Sequence, residues 1–193
     1  MSLQLPQPPA AALRAVLDAI DDPGTSPAHT PAMRAARGPL TPAHPLPVHL
    51  LDPFPGAHGR SPLDLAARTG WRFLIRDGED VVAAAETAED GSGHSVAYFA
   101  EGPYPLSTLR ALQQARLHAG PSATTYLPRL LSVPGLYMAA LWLHPVLGPT
   151  QSPDLLIPLA PAPLGVTAHL PHHAEELLAL LALGRKALVP TPA

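Results

Sequence analysis

Trp71-Arg72-Phe73-Leu74-Ile75-Arg76, then Asp77-Gly78-Glu79-Asp80, then Val81-Val82-Ala83-Ala84-Ala85 is the stretch that decides the fold. Two β-prone runs around a polar Asp-Gly turn read as a hairpin. Working outward, no proline occurs from Leu63 to Gly102, although the chain has 27 of them and ten fall from Pro23 to Pro62. Proline fixes φ and lacks an N–H, so loops accumulate it and sheet interiors exclude it. The proline-free stretch, which also holds Ser95-Val96-Ala97-Tyr98-Phe99, therefore reads as the nucleus of a sheet.

The flanks fill in the rest. Pro8 to Ile20 has the periodicity of a helix, with Leu13, Val16, Leu17 and Ile20 on one face. Residues 21–60 lack a period and read as an irregular arm, with a short helix at Pro31 to Arg37 and an extended piece at Pro45 to Leu51. Ser61-Pro62-Leu63-Asp64 carries helix-start chemistry for a short helix to Arg68. After three strands come a helix from about Ser107 to His118 and strands at Thr124 to Val133, Leu136 to His144 and Asp154 to Ala160. A last helix is predicted from His172 to Leu183. The expected fold is α+β: a mainly antiparallel sheet of five to six strands with helices packed on it, in the order α, arm, α, βββ, α, βββ, α. Residues 1–60 form the helix and Pro-rich arm, and residues 61–193 the α+β domain. The order is similar to that of bacterial secretion chaperones, a likeness of element order carried by no residue motif.

Composition narrows the function. A formal charge of −3 with eleven scattered arginines and one lysine offers no basic field for a phosphate backbone, so no nucleic-acid partner is expected. The absence of cysteine removes disulfides, thiolate catalysis and cysteine-ligated metals. Met1 to Pro6 has neither the basic nor the apolar region of a leader, and the run Gly135 to Leu143 is too short to span a bilayer. A cytoplasmic protein with no membrane partner is the expectation.

Ten histidines invite a search for chemistry. In His169-Leu170-Pro171-His172-His173-Ala174-Glu175-Glu176, Pro171 separates His169 from His173, while His172 and Glu176 have helical i,i+4 spacing. First-turn acids explain that group better, so neither metal nor cofactor is expected. Asp90-Gly91-Ser92-Gly93-His94 puts a serine beside a histidine, but in a turn rather than a nucleophile elbow. His94, His144, His172, His173 and Glu176 remain as candidate polar-site residues; no catalytic residue is assigned.

The strongest feature is a lack of charge. Across the 54 residues from Pro121 to Ala174, only Arg129 and Asp154 are charged. Such a stretch is either the middle of the sheet or a covered interface, with Tyr126, Tyr137, Met138, Trp142 and Leu143 as interface candidates. The sequence thus points to a non-catalytic protein–protein interaction module (a homodimer, adaptor or chaperone-like binding protein) whose partner is another protein or a second copy. The alternative is a small enzyme or ligand-binding domain using histidines in a pocket between sheet and helix.

Overall fold

The computed structural model describes residues 2–22, 24, 28–52, 61–90, 93–118, 124–149 and 152–188. Among them, one mixed, mostly antiparallel sheet of nine strands carries four α-helices. In chain order these are β1 (Ser2–Leu3), α1 (Ala10–Asp21), α2 (Pro31–Arg34), β2 (Leu40–Leu50), β3 (Ala67–Asp77), β4 (Asp80–Asp90), β5 (Gly93–Ala100), α3 (Pro103–Leu117), β6 (Thr125–Val133), β7 (Met138–Leu147), β8 (Leu155–Pro158), β9 (His172–His173) and α4 (Ala174–Leu188). The strand order is β5-β4-β3-β2-β6-β7-β8-β9, with β1 lying parallel to the start of β6. Two antiparallel halves are thereby joined at a parallel seam only three residues long, Val48 to Leu50 against Leu130 to Ser132.

Alternation along each strand sends side chains to opposite faces. Trp71, Phe73 and Ile75 pack with Ala83, Ala85 and Phe99 under Val16 and Ile20 of α1. Leu74 and Ala84 point the other way, toward Leu109 of α3. Across the seam, α3 also covers Leu130, Leu141 and Leu143 through Ala111, Leu112 and Ala115. Leu131, Met138, Ala140 and Trp142 turn toward Leu177 and Leu178 of α4. One helix therefore straddles both halves on one face, while α1 and α4 divide the other.

The predicted hairpin, the third strand and the three later strands are all present, but nine strands replace five to six. The largest difference is in the stretch read as an arm: Leu40 to Leu50 is an eleven-residue strand lying between β3 and β6. The sheet thus draws strands from both sides of residue 60. Its prolines are tolerated because β2 has β3 along its length but meets β6 only from Val48 onward. Pro42 and Pro47 lie before that seam, where a missing N–H leaves no second ladder incomplete. Pro45 falls in a bulge between Ala43 and Leu46, where His44 adopts φ +47°.

Smaller corrections follow the same logic. The cap chemistry at Ser61 starts only a 3-10 turn, Pro62–Leu65, because β3 begins at Ala67 and takes Gly70 into its ladder. His172 and His173 pair with β8 rather than starting the last helix, which runs on through Gly184.

Candidate functional site

Four of the five interface candidates are taken up by the chain's own core. Tyr126, Met138, Trp142 and Leu143 are buried, since β6 and β7 lie mid-sheet with α3 on one face and α4 on the other. Only Tyr137 stands free, 90% exposed and at φ +49° where β6 turns into β7. The polar candidates are dispersed. His94 is on β5 and His172 and His173 are on β9, the two ends of the strand order. Glu176 is exposed on α4, and Ser92 lies outside the described residues.

What the fold does assemble is a cluster around Trp142, built from the two charges that stand out in the sequence. The indole Nε1–H donates to Asp154 Oδ1 at 2.6 Å, and the same oxygen faces His144 Nδ1 at 2.8 Å. Arg129, directly opposite Trp142 across the β6–β7 ladder, lays its guanidinium 4.7 Å from the ring centroid. His49 and His144 meet the indole edge-on, with centroids 5.2 and 5.6 Å away. The Asp154 carbonyl accepts from the Ala174 N–H, so this one residue ties β7 to the first turn of α4. Asp154 and Arg129 were legible as isolated charges; His49, contributed by the strand read as an arm, was not.

Asp154 holds His144 in the orientation of a general base, with Nδ1 engaged and Nε2 directed away from the carboxylate. Among the described residues, however, no hydroxyl hydrogen-bonds to His144. A serine–imidazole contact does occur elsewhere, Ser107 Oγ to His169 Nε2 at 2.7 Å. There Ser107 is buried and also accepts from the Ala160 N–H at 2.7 Å, so it staples the segment after β8 to α3. Among the described residues, no group of three or more histidine or acidic side chains converges as a metal site would require.

The cluster carries a pH signature. Burial, and then the nearby Arg129 cation, lower the His49 pKa from 6.5 to about 4, and among the described residues its buried Nδ1 has no hydrogen-bond partner within bonding distance. An unfolded chain takes up that proton near pH 6.5, the folded chain only near 4, so acid favours unfolding throughout this interval. Stability is complete above the upper limit and declines as pH falls, by about 2 kcal/mol from His49 between neutrality and pH ~5, at roughly 1.4 kcal/mol per unit. His44 and His169 are displaced in the same direction, in both cases chiefly by burial. Urea unfolding across that range should show His49→Phe flattening the decline; an unchanged slope would place the effect elsewhere.

At the far end of the sheet, β5 pairs with β4 alone, and among the described residues no other backbone hydrogen-bonds to it. Its eight residues, Gly93-His94-Ser95-Val96-Ala97-Tyr98-Phe99-Ala100, contain no proline, acid, lysine or arginine. Phe99 is buried under α1, whereas Ser95, Ala97 and Tyr98 are exposed and a bulge falls at Ala97. Behind this edge the charges are already paired, Arg72 with Glu86 at 2.5 Å and Arg68 with Glu89 at 3.1 Å. The opposite end is closed differently: β9 covers two residues of β8, and the His169 N–H donates to the Pro158 carbonyl beyond them.

No helix among the described residues is long and apolar enough to cross a membrane. Compared with known protein families, curated proteins and solved structures, the chain shows no match.

Proposed function

We propose that this chain works through protein–protein contact, as a homodimer joined edge to edge through β5. The observation that carries the reading is the uncharged, proline-free edge of eight residues, which among the described residues pairs with β4 alone. An unpaired edge presents a row of free N–H and C=O groups, and proteins ordinarily blunt such edges with proline, lysine or a covering segment. This chain, rich in proline elsewhere, places none there. Self-pairing brings no like charges into opposition, because β5 has no formally charged side chain and the ion pairs behind it are closed. Tyr98, 44% exposed, supplies an aromatic contact beside the new ladder. The Ala97 bulge divides the edge, so pairing falls on the segments either side of it.

Light scattering during size exclusion at micromolar concentration tests this. The wild type should elute as a dimer, and Ser95→Lys with Ala97→Lys as a folded monomer. Both positions are exposed, so the substitutions leave the core intact. A monomeric wild type would end the proposal. So would a dimer indifferent to these changes but split by Leu180→Glu with Leu183→Glu on the outer face of α4, where both leucines are exposed.

A further inference from the structure

The cavity on the α3 face lies between the N-terminal segment, the β2 bulge and the C-terminal half of α3, with a volume near 290 Å³. Its walls are apolar, set by Leu3, Leu5, Pro6, Leu46 and Leu112. Only one charged side chain lines it, Arg116, accompanied by His44 and Gln7. Among the described residues Arg116 forms no ion pair, whereas Arg68, Arg72 and Arg76 each have an acidic partner. His44 lines the wall from the β2 bulge, where its backbone adopts φ +47°, a conformation that costs a non-glycine residue free energy and clusters at functional sites. Burial and then Arg116 lower its pKa, so the ring is held neutral beside the guanidinium.

We infer that this cavity is a binding site for a small amphipathic carboxylate, with its apolar body among the leucines and its anionic end on Arg116. The volume sits at the lower end of ligand pockets, which limits the guest to a short acyl chain or a single substituted ring. A neutral guest of the same shape would leave the lone cation unpaired, and a phosphate without a tail would leave the apolar walls unfilled. The polar arrangement suits an anion: a guanidinium supplies paired N–H donors to a carboxylate, and neutral imidazole can offer one more N–H. The site is independent of β5 and needs no dimer.

Octanoate is the probe, with octanol as the uncharged match, and binding is followed by calorimetry and by backbone amide shifts. Octanoate should bind saturably at sub-millimolar concentration, move the amides of His44 and Leu46, and bind at least about tenfold more tightly than octanol, the scale of a charge-assisted hydrogen bond. Arg116→Gln, at an exposed position, should weaken octanoate by a similar factor and leave octanol unchanged. No saturable binding would overturn the inference. Equal affinity for the two probes, insensitivity to Arg116→Gln, or shifts confined to other parts of the sheet would do the same.

Discussion

Trp142→Ala should lower the unfolding free energy by about 3–5 kcal/mol, the range for removing a buried aromatic from a packed core. Trp142 is 4% exposed and touches every member of its cluster. Alanine leaves a cavity against Leu131, Leu156 and Leu177, strips Arg129 of the ring it covers, and removes one donor from Asp154. Trp142→Phe separates these contributions. It keeps most of the volume and an aromatic face but loses the Nε1–H, so it should cost about 1.5–3 kcal/mol, the value of a hydrogen bond to a charged group. Chemical denaturation of the two variants checks the ordering. Equal losses, or a loss below about 0.5 kcal/mol for alanine, would mean that the indole is not packed as described. Because the residue is internal, Trp142→Glu reports on folding and cannot serve as a probe of association.

Gly70→Ala is expected to be as severe, at about 3 kcal/mol or more, and to leave little folded protein. A Cβ at this position would stand 1.8 Å from the Thr87 carbonyl oxygen and 2.9 Å from its carbon. Both are backbone atoms of the neighbouring strand, so no rotamer change relieves the overlap. The next rung is held by Thr87, whose Oγ1 accepts from the Trp71 N–H at 3.2 Å. Separating β3 from β4 enough to admit a methyl group therefore pries the hairpin apart from the end away from its turn, where Gly70 faces Ala88. Gly78→Ala is the control: its φ of +59° strains an alanine by about 1–2 kcal/mol, but open space surrounds it. Thermal unfolding that ranked Gly78→Ala above Gly70→Ala would contradict the close approach of the two strands.

The two glycines also mark how far local reading reached. Gly78 follows Asp77 in a turn, and that dipeptide alone places the hairpin. Gly70 follows by two residues the short helix to Arg68 expected from Ser61-Pro62-Leu63-Asp64, yet from Ala67 the chain is already in β3. Strand pairing over Gly70 is a contact with Thr87 and Ala88, and nothing within a few residues of Gly70 encodes it.

The candidate sites divide in the same way. Arg129 and Asp154 were conspicuous as the two charges of a long apolar stretch, and both prove to contact or flank Trp142. That they meet there depends on the β6–β7 register and on the turn into β8, which no spacing rule specifies. The edge at β5, unpaired on one side among the described residues, is a matter of neighbours: its residues read as a strand, but whether a further strand covers them is not encoded in their side chains.

By itself the sequence determined the local states. Proline-free β-prone runs marked β3, β4 and β5, apolar periodicity marked α1, and charge depletion marked a stretch whose strands run from β6 in mid-sheet to β9 at one end. These are decided within a few residues, by sterics and by which face can be hydrated. Tertiary structure alone decided that Leu40 to Leu50, with prolines at 42, 45 and 47, would be the strand joining the two halves. A proline's cost in a sheet depends on whether a neighbour needs its missing N–H. Along β2 the partner on one side, β3, is present throughout, but the second neighbour, β6, begins only at Val48, after the last of the three.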